Sequence, residues 1–175
     1  MAAAETVVRM GELAVSSVPG HVLVSLGLGS CIGLALLDRR MGIAGLAHIV
    51  LPQSNGHANE NPHKFADLAV PELIRQLEDA GRVSGRRVRL EAVIVGGASM
   101  FAVSAASLEV GQRNEAAVRE QLETLHIPVT AAATGGSKGR TIRVDVATAA
   151  VVYREAGGED TELVAGTPAM QAVAA

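Results

Sequence analysis

Residues 25–52, SLGLGSCIGLALLDRRMGIAGLAHIVLP, hold the chain's only cysteine, Cys31, and one of its five histidines, His48. Two short apolar runs, 31–37 (CIGLALL) and 43–51 (IAGLAHIVL), flank the polar connection Asp38-Arg39-Arg40-Met41-Gly42, which is the pattern of a β-hairpin. With Asp38 opposite Met41, Cys31 falls opposite His48, and directly opposed Cβ atoms lie about 4.5–5.5 Å apart. Gly42 leaves a second register open. Neither Arg39 nor Arg40 suits a two-residue primed turn, and a bulge at Gly42 moves the pairing by one. Alternation sends Ile32, Leu34 and Leu36 to one face, and Cys31, Gly33 and Ala35 to the other, beside Ala44, Leu46 and His48. The cysteine face therefore carries mostly small side chains.

Two readings of Cys31 stand side by side. A free cysteine is often a small buried hydrophobe. A cysteine with a histidine in reach is a candidate nucleophile, because an imidazole nitrogen takes the thiol proton and the thiolate attacks. The preceding Gly27-Leu28-Gly29-Ser30 favours the second, since glycines let backbone approach a ligand closely and present N–H groups as an oxyanion hole.

Upstream, 10–18 (MGELAVSSV) reads as a strand ended by Pro19-Gly20, and 21–26 (HVLVSL) as a second, with Leu23, Ser25 and Gly27 on one face. Downstream of Pro52 runs a polar loop, QSNGHANENPH. Its His57, Glu60 and His63 fit no recognised ligand spacing, so no metal site is expected. Residues 64–80 read as a helix with Phe65, Leu68, Ala69, Leu73 and Leu77 on one stripe, kinked or divided by Pro71 and stopped by Gly81. Arg82, Arg86, Arg87 and Arg89 then form a solvated charged connection. A strand over 88–95 runs into Gly96-Gly97, which lacks the residues of a phosphate loop. A second helix is expected over 112–126, with Asn114 as a cap near its start. A strand follows Ile127-Pro128-Val129, then a closing hairpin over 141–146 and 148–153.

The 175 residues suit one domain, here 1–154, with a core built from Val, Leu, Ile and Ala because aromatic content is only 2%. The acidic stretch 155–175 carries Glu155, Glu159, Asp160 and Glu162 with no Lys or Arg, and it reads as a disordered tail. The rest holds 15 basic and 14 acidic residues (18 less those four), a near-neutral body with no electrostatic case for nucleic acid. A single cysteine excludes an internal disulfide and suits a reducing compartment. With no secretory signal pattern and no membrane-spanning run, a cytoplasmic protein without membrane insertion is expected.

GLGSC, AHIVLP, GGASMF (96–101), VGQRN (110–114), IPV (127–129) and GGSKGR (135–140), in this order and spacing, resemble the chemoreceptor glutamine deamidase (CheD) family of bacterial chemotaxis over about residues 10–154. The resemblance implies an α+β protein, a three-layer α/β/β sandwich, that hydrolyses glutamine side chains of methyl-accepting chemotaxis receptors to glutamate and ammonia without a cofactor. It implies a catalytic Cys31 and His48 completed by a hydroxyl six positions before the cysteine, usually threonine and here Ser25. Gly29, Ser30, Gly96, Gly97 and Ser137 are expected around substrate and oxyanion, Ser137 replacing the family's usual asparagine. Accessory glutamate methylesterase activity and a CheC-type phosphatase partner are further expectations. Two rivals remain. One is a cysteine peptidase or small-molecule amidase; the other is a non-catalytic adaptor that docks to receptors or to such a phosphatase.

Overall fold

Among the described residues, the chain forms ten strands in two five-stranded sheets, two α-helices and a short 3-10 turn (Pro62–Lys64). The computed structural model describes residues 4–57, 60–100 and 105–167, with backbone alone over 105–109. The strands are β1 (Ala4–Val7), β2 (Leu13–Ser16), β3 (His21–Leu28), β4 (Ile32–Asp38), β5 (Ile43–Ile49), β6 (Glu91–Gly96), β7 (Val129–Thr134), β8 (Arg140–Asp145), β9 (Val151–Glu155) and β10 (Asp160–Val164). Helix α1 spans Ala66–Val83 and α2 spans Ala105–Thr124. The first sheet runs β1-β3-β8-β9-β10 and the second β2-β5-β4-β6-β7. Only the β1–β3 and β6–β7 pairs are parallel.

Strands β4 and β5 are buried along their whole length because both faces of the second sheet are covered. Ala35, Leu37, Ala44, Leu46, Val93 and Val95 pack against Leu23, Leu28, Ile142 and Val144 of the first sheet. On the opposite face, Ile32, Leu34, Leu36, Ala47, Ile49 and Ile94 meet Ala69, Leu73 and Leu77 of α1 and Val118 and Leu122 of α2. The fold is mixed α+β, and the period-2 face assignment expected for 32–48 is the one observed.

The hairpin register is not. Asp38 pairs with Ile43, leaving a four-residue loop, and the ladder runs Gly33↔His48 and Ile32↔Ile49. Cys31 therefore precedes the strand and does not oppose His48. The cause is Asp38, whose side chain is buried: its Oδ1 accepts the N–H of Arg40 (3.0 Å) and Met41 (3.2 Å), and its Oδ2 that of Arg89 (2.6 Å). These bonds hold an Asx-type turn that Gly42 closes at φ +61°. A shift of two residues leaves side-chain parity intact, so Cys31 and His48 still face the same side.

Other boundaries moved for local reasons. Pro71 neither ends nor divides α1; only the Asp67 carbonyl loses its helical donor there. Gly81 lies inside the helix because a Cβ there would sit 2.7 Å from Val88 Cγ1, and the chain turns instead at Gly85, φ +67°. The first expected strand is only Leu13–Ser16, preceded by the unforeseen β1. The expected disordered tail is corrected over Asp160–Val164, which pairs with β9 through Arg154↔Asp160 and Tyr153↔Thr161. Its acidity is partly matched there, as Arg154 Nε donates to Asp160 Oδ1 at 2.7 Å. Residues 168–175 of that expected tail lie outside the described residues.

Candidate functional site

Three chain segments meet where the two sheets face each other. Strand β3 contributes Ser25, which is fully buried. Just after it, the ladder to β8 breaks between Ser25 and Leu28, and Gly27 takes φ +66°. The pairing resumes at Leu28↔Arg140, and beyond this bulge Gly29 and Ser30 leave the sheet and deliver Cys31 to the head of β4. Strand β5 brings in His48, 2% exposed. His48 is anchored on its other edge by the segment between β1 and β2: Gly11 N–H donates to its carbonyl (2.9 Å), and its own N–H donates to the Glu12 carbonyl (3.0 Å).

The Ser25 hydroxyl lies 2.8 Å from His48 Nδ1 and 2.9 Å from the Val8 carbonyl. A hydroxyl has one proton, and the carbonyl can only accept. Both contacts are satisfied when Ser25 donates to Val8 and accepts from Nδ1–H. Histidine then carries its proton on Nδ1 and leaves Nε2 as a bare lone pair. Nε2 is buried and has no hydrogen-bond partner among the described residues. A buried, unpaired basic nitrogen is costly unless something uses it.

Cys31, with Gly27, Gly29, Ser30, Ala98, Met100 and Val110, lines a pocket of about 290 Å³. Cys31 is 9% exposed. Burial pushes its pKa above the ordinary 9.0, and its own backbone N–H, directed at the sulfur, offsets part of the rise. Burial likewise holds His48 below its ordinary 6.5, against the Val8 backbone hydrogen bond and the Glu12 charge, which favour the cation. At neutral pH both groups are uncharged. His48 sits opposite Gly33, two residues along the same face from Cys31. Cys31 itself lies just before β4 and outside the ladder, packed in the cluster between the two sheets.

The glycines expected near substrate do different jobs. Gly29 and Ser30 line the pocket. Gly96 and Gly97 do not; they grip the loop that carries Cys31. Gly97 N–H donates to the Cys31 carbonyl (2.9 Å) and Ala98 N–H to the Gly29 carbonyl (2.8 Å), so the Gly97 N–H is already spent and serves no oxyanion. Gly96 adopts φ +118°, where a Cβ would come within 2.2 Å of the Cys31 carbonyl oxygen. Ser137 is exposed on the loop between β7 and β8, outside the pocket lining. Its loop still touches the site, since Gly136 accepts the Ser99 N–H at 2.8 Å. Among the described residues no three His, Cys, Asp or Glu side chains gather as a metal cluster, and no helix is long and apolar enough to cross a membrane.

Two side chains escaped the sequence reading. Asn114 is no cap: it lies in the middle of α2, fully buried, with Nδ2 donating to the carbonyls of Ser30 and Val50, each at 2.9 Å. Arg140, at the head of β8, is buried and donates to the Gly135 carbonyl (2.7 Å), the Gly96 carbonyl (3.3 Å) and Glu155 (2.9 Å). It thus ties the Gly96 turn to the 135–139 loop. A polar residue on an otherwise buried helix face was the available signal for Asn114; for Arg140 it was its place at the end of GGSKGR (135–140).

Over residues 50–155, more than half of its length, the chain matches the family described as CheD chemotactic sensory transduction. That match starts just beyond His48, and the matches to individual proteins are longer. The chain is 49% identical over 140 residues to the probable chemoreceptor glutamine deamidase CheD of Clostridium kluyveri, covering 78% of this chain and 85% of that protein. It is 44% identical over 156 residues to the proteins of the same description from Clostridium botulinum strains Alaska E43 and Hall, covering 87% of this chain and 94% of each of those.

Proposed function

This chain belongs to the CheD chemotactic sensory transduction family, and we propose that it is a chemoreceptor glutamine deamidase with Cys31 as nucleophile, His48 as general base and acid, and Ser25 as the group that orients His48. The observation that carries the catalytic assignment is the Ser25–His48 hydrogen bond, which leaves a bare, buried Nε2 on the face that Cys31 shares.

The chemistry follows from the resting protonation states. Thiol and imidazole are both neutral, so the proton moves only when substrate is bound: His48 Nε2 takes it as Sγ adds to the glutamine carbonyl carbon. The oxyanion forms next to Sγ, where the Cys31 N–H already points, with the Ser30 N–H as second donor. The His48 cation returns its proton to the amide nitrogen, and ammonia leaves as the C–N bond breaks. Water, deprotonated by His48, then cleaves the thioester to give glutamate and restore the thiol. A glutamate methyl ester passes through the same acyl-enzyme, with methanol as leaving group. The α/β/β layering serves this site by placing Ser25 and His48 on facing sheets. No cofactor is needed for these steps, and a free, uncrosslinked thiol suits a cytoplasmic working place.

Peptide-level mass spectrometry of a purified receptor cytoplasmic fragment, incubated with wild type and with Cys31→Ala, tests this function. Conversion of particular glutamines by wild type alone supports it. Binding without conversion by either protein instead supports the adaptor role, docked to receptors or to a CheC-type phosphatase.

A further inference from the structure

We propose that Asn114 is a positioning residue for the oxyanion site: by holding the Ser30 carbonyl it turns the Ser30–Cys31 peptide so that the Cys31 N–H faces the pocket. The inference rests on the assignment of Cys31 as nucleophile and adds a residue from an element that supplies none of the reacting groups.

The peptide unit is planar and trans, so its C=O and N–H point in opposite directions. Asn114 Nδ2 donates to the Ser30 carbonyl from the helix side at 2.9 Å. The N–H of the same peptide, that of Cys31, must then point away from α2, and it lies against Cys31 Sγ. On the next peptide the Cys31 carbonyl is held by the Gly97 N–H at 2.9 Å. Both peptides around the nucleophile are therefore fixed by groups that do not touch substrate. The second Nδ2 hydrogen goes to the Val50 carbonyl, two residues beyond His48, so one amide links the backbones that carry nucleophile and base.

The side chain is used in one orientation only. Nδ2 spends both hydrogens on carbonyls, and Oδ1 is buried with no partner among the described residues. Only an amide of this length supplies two donors from one atom here. An aspartate of the same shape would set carboxylate oxygens against two carbonyl oxygens. Alternative uses of Asn114 are disfavoured by position: it is fully buried, it does not line the pocket, and in mid-helix it caps nothing. The close approach of α2 that makes the contact possible comes from Gly111, where a Cβ would stand 2.4 Å from the Gly97 carbonyl oxygen.

Two reactions of Cys31 separate positioning from general structure. Acylation by p-nitrophenyl acetate passes through a tetrahedral oxyanion: the thiolate takes the acetyl group and p-nitrophenolate leaves. Alkylation by iodoacetamide is a direct displacement of iodide and builds no oxyanion. Wild type, Asn114→Ala and Asn114→Asp are compared in both, and in deamidation of a receptor fragment, after thermal melts identify the folded variants. In a folded variant, acylation and the kcat for deamidation are expected to fall roughly 10- to 100-fold, with KM and alkylation within about threefold of wild type. Equal rates of acylation in wild type and folded variant overturn the proposal. So does a parallel change in acylation and alkylation, which marks a general loss of order around Cys31. If neither variant folds, Asn114→Ser, which retains one donor, is measured against the same thresholds. A wild type that is acylated normally but converts no receptor glutamine sinks the deamidase function, while the acylation-to-alkylation ratio still decides the role of Asn114.

Discussion

Ser25→Ala is the substitution that most directly interrogates the catalytic geometry. It removes one oxygen atom from a fully buried site and with it two hydrogen bonds, from His48 Nδ1–H at 2.8 Å and to the Val8 carbonyl at 2.9 Å. An orphaned buried polar group costs about 1–3 kcal/mol. The two orphans here are a donor and an acceptor already close enough to interact, since the Val8 backbone favours the His48 cation. Their mutual satisfaction brings the expected stability loss to the low end, about 1 kcal/mol. Activity suffers more, because an imidazole that tips toward Val8 carries Nε2 off the line to Cys31. Misplacement of that kind costs roughly 10- to 100-fold in kcat, or about 1.4–2.8 kcal/mol of barrier. Ser25→Thr keeps the oxygen and is expected to stay within about threefold of wild type, with a small penalty for the added methyl. The assay is single-turnover deamidation of a receptor fragment, with nitrogen-15 NMR of the imidazole to identify the protonated nitrogen. A Ser25→Ala enzyme with wild-type kcat refutes the orienting role. A wild-type His48 protonated on Nε2 in its neutral form refutes the tautomer on which that role depends.

The protonation states make further predictions. Because burial raises the Cys31 pKa above its ordinary 9.0, the thiol is protonated at neutral pH, and iodoacetamide alkylation should climb about tenfold per pH unit through pH 8 and beyond. A rate already flat from pH 6 upward would instead reveal a preformed thiolate–imidazolium pair. For stability the sign is the same on both flanks: a depressed His48 leaves the unfolded chain binding more protons below pH 6.5, so stability falls as pH drops through that value, and a raised Cys31 makes stability fall as pH rises past 9.0. Urea titrations at pH 5.5, 7.5 and 9.5 should place the maximum at the middle value. Gly96→Ala forces a Cβ against the Cys31 carbonyl at φ +118°, with strain of about 1–3 kcal/mol before the clash itself is counted. It should lower the melting temperature sharply, whereas Gly29→Ala meets only the movable Met100 thioether and should melt near wild type. Asp38→Ala strips the Arg40 and Arg89 N–H groups of their acceptor and leaves the Met41 N–H with the Asp38 carbonyl alone, at 3.3 Å; it should cost about 2–4 kcal/mol in urea denaturation while leaving Cys31 alkylation near the wild-type rate.

Local pattern was enough for some of this molecule and powerless for the rest. Alternation along 32–48 placed Ile32, Leu34 and Leu36 on one face and Ala35, Ala44 and Leu46 on the other, as observed, since burial of one face is a property of the strand's own period. The α1 stripe through Ala69, Leu73 and Leu77 was readable for the same reason. The glycines around Cys31 marked a place where backbone bends and something approaches. Register was another matter. It depended on where the Asp38 carboxylate found its donors, and one of these, Arg89 N–H, comes from a loop 51 residues away. Strand β10 was hidden because its edge pairing with β9 outweighs an acidic composition that reads as disorder. The site itself needed the tertiary fold most of all. Ser25, His48 and Asn114 belong to a strand of one sheet, a strand of the other and a helix, and their hydrogen bonds exist only once those layers pack. A residue's type and neighbours state what chemistry it can perform; which proton it holds is settled by partners from distant segments, brought within 3 Å by packing and by nothing local.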